Sequence, residues 1–202
     1  KNDTTRHGWA GGPVIQEETT AEYYNTIYSI AESPAQKGII WVGVDDGNLH
    51  VTRDDGATWT RVDRNVPGVG PEAVVSHIEA SRTAPCTAYA TFERKFMDDL
   101  KAYAFRTTDC GATWTSIAGN LPEGAYLQVL REDPKNPQVL YAGTETGLFV
   151  SVTGGNDWFR LGGNLPVVPV HEVLVHGREN DLIVATHARG IWILDDASAI
   201  QE

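Results

Sequence analysis

An eight-residue pattern recurs along the chain and restricts what it can fold into. Thr52-Arg53-Asp54-Asp55-Gly56-Ala57-Thr58-Trp59 returns as Thr107-Thr108-Asp109-Cys110-Gly111-Ala112-Thr113-Trp114, and a worn third copy runs from Ser151 to Trp158. The copies start 55 and then 44 residues apart, and each is followed by Asn-x-Pro at Asn65–Pro67, Asn120–Pro122 and Asn164–Pro166. Self-similarity at such a period marks a repeat architecture with one supersecondary unit per repeat. Asp54 and Asp109 can accept hydrogen bonds from backbone N–H groups two residues on, which closes a turn. Gly56 and Gly111 permit a positive φ where a Cβ would clash. Thr58-Trp59 and Thr113-Trp114 then start a strand, with an indole offering apolar area for burial. The third copy keeps Ser151, Gly155 and Trp158 but carries Thr153 for Asp and Asp157 for Thr, which takes the carboxylate out of its turn.

Short β-rich runs surround each copy. In the first unit, 26–62, strands are predicted at 26–31, 39–44, 49–52 and 58–62, with Asp45-Asp46-Gly47-Asn48 as a hairpin signal. The second unit, 74–117, repeats this with strands at 74–80, 87–92, 102–107 and 113–117. A charged excursion from Glu93 to Lys101, with a short helical turn, accounts for its longer spacing. The third, 126–161, is compact, with strands at 126–131, 139–143, 148–151 and 157–161. The last, 171–195, offers three strands, at 171–175, 182–185 and 190–194. Residues 1–25 read as an irregular lead-in loop and 196–202 as a C-terminal tail.

The eight-residue pattern resembles the Asp box, Ser/Thr-x-Asp-x-Gly-x-Thr-Trp, also called the bacterial neuraminidase repeat. The first two copies match at every fixed position, and with their flanking strands the resemblance covers roughly residues 26–195. It implies an all-β fold of four-stranded antiparallel meander blades, a β-propeller segment. Asp boxes occur in sialidases, xyloglucan-cleaving glycosidases, sortilin-type receptors and photosystem assembly factors, so the motif points to a fold and not to a reaction. The chain is also similar to the C-terminal half of large bacterial sortilin-like propeller proteins often labelled glycosyl hydrolase. That likeness rests on Glu22-Tyr23-Tyr24, on 30–34, on 141–148 and on 185–190.

The count is about three and a half blades, where closed propellers have about four to eight. Open-ended blades expose hydrogen-bonding edges that solitary proteins avoid. Three arrangements follow: one part of a larger propeller, closure with another chain, or a small four-bladed ring whose missing strand comes from residues 1–25. The first is preferred, with other polypeptide or a larger complex as the partner. Lys1-Asn2-Asp3-Thr4-Thr5 opens polar, without initiating Met or hydrophobic leader, as in a cleaved or excised piece. The net charge of −11 argues against nucleic acid, whose phosphates need a basic surface, and against docking on anionic lipid. No apolar run approaches the ~20 residues of a spanning helix, so no direct membrane insertion is expected.

Blade topology sorts the candidate chemistry. The 1–2 and 3–4 turns share one face, which carries the Asp boxes. The 2–3 turns and the links between blades share the other, where sialidase-like propellers hold their ligand. That face collects Asp45, Asp46, the run 93–101, Glu145, His187 and Arg189 from turns, and Tyr23, Tyr24, Glu72, Glu123 and His171 from links. Two carboxylates across a cleft suit general acid and base work on a glycosidic bond. Hairpin turns are also rich in Asp and Glu for purely local reasons. A sialidase site needs three arginines from different blades, whereas this face offers Arg94 and Arg189. The six histidines show no metal-ligand spacing, and neither a phosphate-binding Gly-rich loop nor a nucleophile elbow occurs, so neither metal nor cofactor is expected. Trp59, Trp114 and Trp158 read as packing anchors. Trp41, Tyr89 and Tyr141 read as contacts between blades.

Cys86 and Cys110 fall in two turns on one face of the second unit. A disulfide needs Cα atoms within ~7 Å, while strands ~4.8 Å apart would set these turns about 10 Å apart. The loop 81–87 is long enough to bend across, so a bridge and two independent thiols both remain open. A bridge would imply an oxidising, extracytoplasmic compartment. Two functions are carried forward. The preferred one is a non-catalytic binding or scaffold module engaging a protein through a propeller face or edge. The other is a glycoside hydrolase using Asp45 or Glu145, with His187 and Arg189 nearby and Tyr23, Tyr24 and His171 as ligand contacts.

Overall fold

A computed structural model describes residues 26–202. Tyr23, Tyr24 and the lead-in loop lie outside the described residues. Strands β1 (Ile27–Glu32), β2 (Ile40–Val44), β3 (Leu49–Thr52) and β4 (Thr60–Arg61) form the first blade as a simple antiparallel meander. The second blade is β5 (Val74–Ala80), β6 (Ala88–Arg94), β7 (Asp99–Thr107) and β8 (Thr115–Ser116). The third is β9 (Leu127–Glu132), β10 (Leu140–Thr144), β11 (Gly147–Ser151) and β12 (Phe159–Arg160). The fourth has three described strands, β13 (Val170–Val175), β14 (Leu182–Thr186) and β15 (Ile191–Leu194). A terminal helical turn, α1 (Ser198–Gln201), follows. It is held by Asn136 Nδ2 donating to the Gln201 carbonyl at 2.9 Å and by Gln201 Nε2 donating to Asp133 at 2.8 Å.

Each repeated turn closes by a cage of hydrogen bonds. Asp54 accepts from the Thr58 backbone N–H at 2.8 Å and from the Thr58 hydroxyl at 2.5 Å, while the Thr52 hydroxyl donates to it at 2.7 Å. The Gly56 N–H returns to the Thr52 hydroxyl at 3.0 Å. Asp109 repeats these bonds with Thr107 and Thr113, and the Gly111 N–H returns to the Thr107 hydroxyl. In the third copy Thr153 Oγ1 takes over the acceptor role, receiving the Asp157 N–H at 3.0 Å. The carboxylate is thus replaced by a weaker neutral acceptor, and the turn shape survives. The cage also shortens the fourth strands. Thr58 spends its N–H inside the turn, so pairing with β3 begins only at Thr60, and each fourth strand has two residues where five were expected.

The blades pack face to face in chain order, and the core lies between them. Trp41, Leu49 and Val51 of the first blade meet Val75, Ile78, Phe105 and Trp114 of the second, with the Trp41 and Trp114 rings edge to face at 6.0 Å. Tyr89 and Ala104 of the second meet Leu127, Leu130, Phe149 and Trp158 of the third. Tyr141, Leu148 and Val150 of the third meet Val170, Val173 and Val184 of the fourth. These contacts require a bare backbone at Gly143, where a Cβ would sit 2.6 Å from Val129 Cγ1 and 2.7 Å from the Val170 carbonyl. One expectation fails here. Trp114 and Trp158 are 6% and 3% exposed, but Trp59 is 45% exposed. The repeated Trp packs on the preceding blade, and no described blade precedes the first.

Cys86 and Cys110 are joined, with Cα atoms 4.3 Å apart. The ~10 Å separation expected from strand spacing does not arise, because the repeated turn folds back over the 1–2 turn in each of the first three blades. Asp55 N–H donates to Gly38 O at 3.0 Å, Cys110 N–H to Cys86 O at 3.0 Å and Gly154 N–H to Gln138 O at 2.8 Å. The bridge covalently fixes, in one blade, a contact that the other two make by hydrogen bond alone.

Two outcomes follow. Replacing both cysteines by Ser is expected to lower unfolding free energy by about 2–4 kcal/mol, as for a loop of this length, measured by urea denaturation with and without reductant. The second concerns acid. Hydrogen bonds from Thr58 and Thr52 hold the Asp54 carboxyl down at about 2, and the same bonds from Thr113 and Thr107 lower Asp109. A carboxyl depressed on folding adds stability above its unfolded value and loses it as pH falls through its folded value. The paired Asp54→Asn and Asp109→Asn variant is therefore expected to trail the parent most near neutral pH. The gap should narrow steadily as pH drops below ~4 towards 2, as read by urea midpoints across a pH series.

Candidate functional site

The face of the 2–3 turns holds Asp45, Glu145 and His187, and the backbone explains why they share a position. In the first, third and fourth blades the 2–3 turn opens with a residue whose N–H caps the start of its blade's first strand. Asp45 N–H donates to Thr26 O at 3.1 Å, Glu145 N–H to Tyr126 O at 3.2 Å and His187 N–H to Pro169 O at 2.9 Å. Asp45, Glu145 and His187 are therefore one structural position in three blades. Their side chains turn to partners within their own blade. Asp45 Oδ1 accepts the Thr26 N–H at 3.0 Å, and Glu145 Oε2 accepts the Tyr126 hydroxyl at 2.8 Å. His187 lies against His171, with ring centroids 5.3 Å apart. Both imidazoles are exposed, and so is Arg189, whose carbonyl accepts the Trp192 indole N–H at 3.1 Å. Among the described residues no group of three or more His, Cys, Asp or Glu side chains is placed to hold a metal ion.

The second blade contributes its excursion to this face. β6 runs on to Arg94, residues 95–97 make a helical turn, and β7 starts at Asp99. Arg94 Nη1 pairs with Asp99 at 2.8 Å and the Tyr103 hydroxyl donates to the same carboxylate at 2.8 Å, which fixes the hairpin. Lys95 pairs with the buried Glu93 at 3.1 Å and lies 5.6 Å from the centre of the Tyr126 ring in the next blade. Glu93, Lys95, Tyr126 and Glu145 thus form a continuous patch across the junction of the second and third blades. Burial and the adjacent Glu145 carboxylate push the Tyr126 phenol well above its ordinary range. A phenol so held keeps its proton and donates it to Glu145, which is the reverse of an activated nucleophile.

Further charges lie between blades. Arg131 Nη1 contacts Glu79 at 2.7 Å and Nη2 contacts Glu172 at 2.8 Å, so one guanidinium links the second, third and fourth blades. Burial raises the Glu79 carboxyl, with Arg131 acting in the opposite direction. Glu132, buried, accepts from the Ser81 hydroxyl, the Arg82 N–H and the Tyr89 hydroxyl at 2.9–3.0 Å. Burial also pushes the His77 imidazole on β5 down to about 3, so it stays neutral. Tyr126, Arg131, Glu79 and Glu132 were not singled out from the sequence. Superimposing the repeats would have flagged two of them, since Ala31, Glu79 and Arg131 occupy one register position in three blades. An open cleft of about 460 Å³ lies on the other face, lined by Gln36, Arg53, Asp54, Thr58 and Cys86, away from the 2–3 turns.

No family model and no curated protein sequence matches the chain. Solved structures do. The GH74 xyloglucanase from Xanthomonas campestris superimposes with a TM-score of 0.64 at 18% identity, covering 86% of this chain and 29% of the xyloglucanase. YCF48 from Cyanidioschyzon merolae gives 0.59 at 15% identity over 86% of this chain and 54% of that one, and YCF48 has also been solved bound to a D1 peptide. The extracellular domain of the one component system BT4673 from B. thetaiotaomicron gives 0.63 at 15% identity over 90% of this chain and 22% of its own. The chain spans less than a third of the xyloglucanase and about half of YCF48. At these identities the likeness speaks for the fold alone. With four successive antiparallel meanders packed face to face, it makes the chain a partial β-propeller.

Proposed function

We propose that this chain is a non-catalytic binding or scaffold module of an extracytoplasmic propeller protein, engaging a protein partner through a propeller face or edge. The observation that carries the reading is the engagement of the candidate carboxylates. Asp45 receives the Thr26 N–H and Glu145 receives the Tyr126 phenol, so each acts as a turn and strand-start constituent. A glycosidase pair instead faces a shared cleft, at a separation of about 5–9.5 Å. The Lys95, Phe96 and Tyr126 patch offers a partner one cation and two aromatic rings at the junction of two blades. Aromatic side chains of this kind dominate binding energy where they are desolvated. The peptide-bound YCF48 structure shows a propeller protein holding a peptide, which supports the class of partner and not its identity. The Cys86–Cys110 bridge supports an oxidising compartment.

The hydrolase alternative is the natural competitor, because one structural neighbour is a xyloglucanase. A panel of xyloglucan, mixed-linkage glucan and a sialoside, read by released reducing ends or free sialic acid, separates the two. Release indistinguishable from buffer is expected, with no change in Glu145→Gln. Turnover that disappears in Asp45→Asn or Glu145→Gln would move the chain to the hydrolase class. In parallel, an array of unstructured peptides is expected to yield binders whose affinity drops about five- to tenfold in Tyr126→Ala, measured by fluorescence anisotropy.

A further inference from the structure

One rim position recurs at the junctions of the first and second, second and third, and third and fourth blades, and each junction treats it differently. The 1–2 turns of the first and third blades close alike, Ser33 N–H donating to Ile39 O at 2.8 Å and Asp133 N–H to Val139 O at 2.9 Å. Gln36 and Asn136 therefore hold one position, as do Ile39 and Val139. Strand register adds Val51 with Val150 and Thr60 with Phe159. From the blade that follows, Cys86 and Asn180 correspond, each one residue before the carbonyl that closes its turn, Thr87 O or Asp181 O.

At the third junction this position holds the chain's own C-terminal turn. Asn136 Nδ2 donates to the Gln201 carbonyl at 2.9 Å, and Asn180 Nδ2 to the Gln201 side-chain oxygen at 3.0 Å. Gln201 Nε2 donates to Asn180 Oδ1 at 3.0 Å and to Asp133 at 2.8 Å. Ala197 and Ile200 join the core cluster that holds Val139 and Val150. At the second junction the long Arg106 stands at the Val51 position, and it and Gln138 come together over Gly154, where a Cβ would meet them at 3.3 and 3.0 Å. At the first junction Val51 is short, and the position is an open cleft of about 460 Å³ lined by Gln36, Ile39, Val51, Arg53, Thr60 and Cys86.

The buried polar groups behind this position repeat the contrast. In the third blade Asp133 receives both the Tyr141 hydroxyl and the Gln201 amide. In the second, the Ser81 and Tyr89 hydroxyls both donate to Glu132. Their first-blade equivalents are Ser33 and Trp41, 3% and 0% exposed, and Ala80 stands where the next junction has Glu132. Neither Ser33 Oγ nor Trp41 Nε1 has a hydrogen-bond partner among the described residues. Buried polar atoms are rarely left so, and an unpaired one calls for a specific explanation.

We propose that the first-junction cleft binds one helical turn of a partner protein, an aliphatic residue followed by glutamine and then an acidic residue, as the third junction holds Ile200 and Gln201. The aliphatic side chain covers Ile39 and Val51. The glutamine bonds Gln36 and the Ser33 hydroxyl, as Gln201 bonds Asn136 and Asp133. Arg53 supplies a cation at the rim where the third blade has Val152, and the Asp54 carboxylate next to it is already held by Thr52 and Thr58. The acidic residue therefore faces Arg53. A separate peptide must be ordered on binding, whereas α1 is tethered, so an isolated turn binds with modest affinity.

The inference rests on the protein-binding reading above. The hydrolysis panel tests that reading and a single peptide tests this one, so each can fail alone. The probe is a fluorescein-labelled peptide of residues 195–202, titrated with the full chain and followed by anisotropy. Saturable one-to-one binding is expected, weakened at least about tenfold by Ile200→Ala in the peptide. Gln36→Ala or Arg53→Glu in the chain is expected to weaken it at least about fivefold. Both positions are exposed, and far-UV circular dichroism confirms that each variant still folds. Arg64→Glu, the same charge change at an exposed residue outside the cleft, should leave binding unchanged. Absence of saturable binding overturns the proposal, and that includes a cleft already filled by the chain's own Ile15-Gln16-Glu17 or by α1 of a second copy. Binding that neither cleft variant weakens overturns it too, because the peptide is then displacing α1 at the third junction.

Discussion

Burial between blades is the constraint on which the rest of this structure depends. A four-stranded meander has two faces and almost no interior, so it cannot remove its apolar side chains from water alone. Trp41, Leu49 and Val51 become core only because Val75, Ile78 and Trp114 arrive from the next repeat. At roughly 25 cal/mol per Å² of apolar area, each junction contributes far more than any hydrogen bond along its rim. The repeated turn serves that burial. It bends the chain so that an indole at its end meets the blade before it, and in the second and third blades its Gly111 and Gly155 backbones pass too close to Val62 and Ile117 for a Cβ. Asn65 and Asn120, from the Asn-x-Pro that follows each turn, complete the arrangement by bonding Gly111 and Trp158 of the next blade.

Charge between the blades obeys the same logic. Arg131 replaces an apolar residue at a junction position, and it is tolerated because Glu79 and Glu172 flank it from the blades on either side. Arg131 is half-buried and Glu172 exposed, so these pairs add little net stability, but removing Arg131 leaves the buried Glu79 uncompensated. The fork of Arg131 reaches both carboxylates and so ties the second, third and fourth blades together. Glu132 plays a similar part on the other face, where its two oxygens collect a hydroxyl, a backbone N–H and a phenol from the second blade.

The sequence made the fold legible because its strongest signal was local and repeated. Turn chemistry at Asp54, Gly56 and Thr58 needs no knowledge of distant residues, and three copies at blade spacing turn a local motif into an architecture. What escaped was whatever depends on a neighbour. Trp59 has the same local sequence as Trp114, yet only the latter has a described blade to pack on. The approach of Cys86 to Cys110 follows from the turn folding back across its own sheet, which flat strand spacing does not contain. The bond from Tyr126 to Glu145 spans 19 residues and joins a strand start to a hairpin turn. A period-two reading assigns each of these to its own element and gives no reason to join them.

The candidate site shows why the same sequence was far less informative about function. Asp and Glu are selected at hairpin turns for local bonding, and the face that could host a glycosidase is built wholly of hairpin turns and links. A carboxylate there carries the same letter whether it cuts a sugar or caps a strand. Only its partner distinguishes the two: a second carboxylate across a cleft, or the phenol and backbone N–H groups seen at Glu145 and Asp45. Those partners come from the start of the first strand in the first and third blades. Local bonding therefore accounts for the carboxylates at Asp45 and Glu145 before any ligand does. Activity on this face would require further groups that converge beyond the cap, and in this arc it is Lys95, already paired with Glu93, and the rings of Phe96 and Tyr126 that converge there.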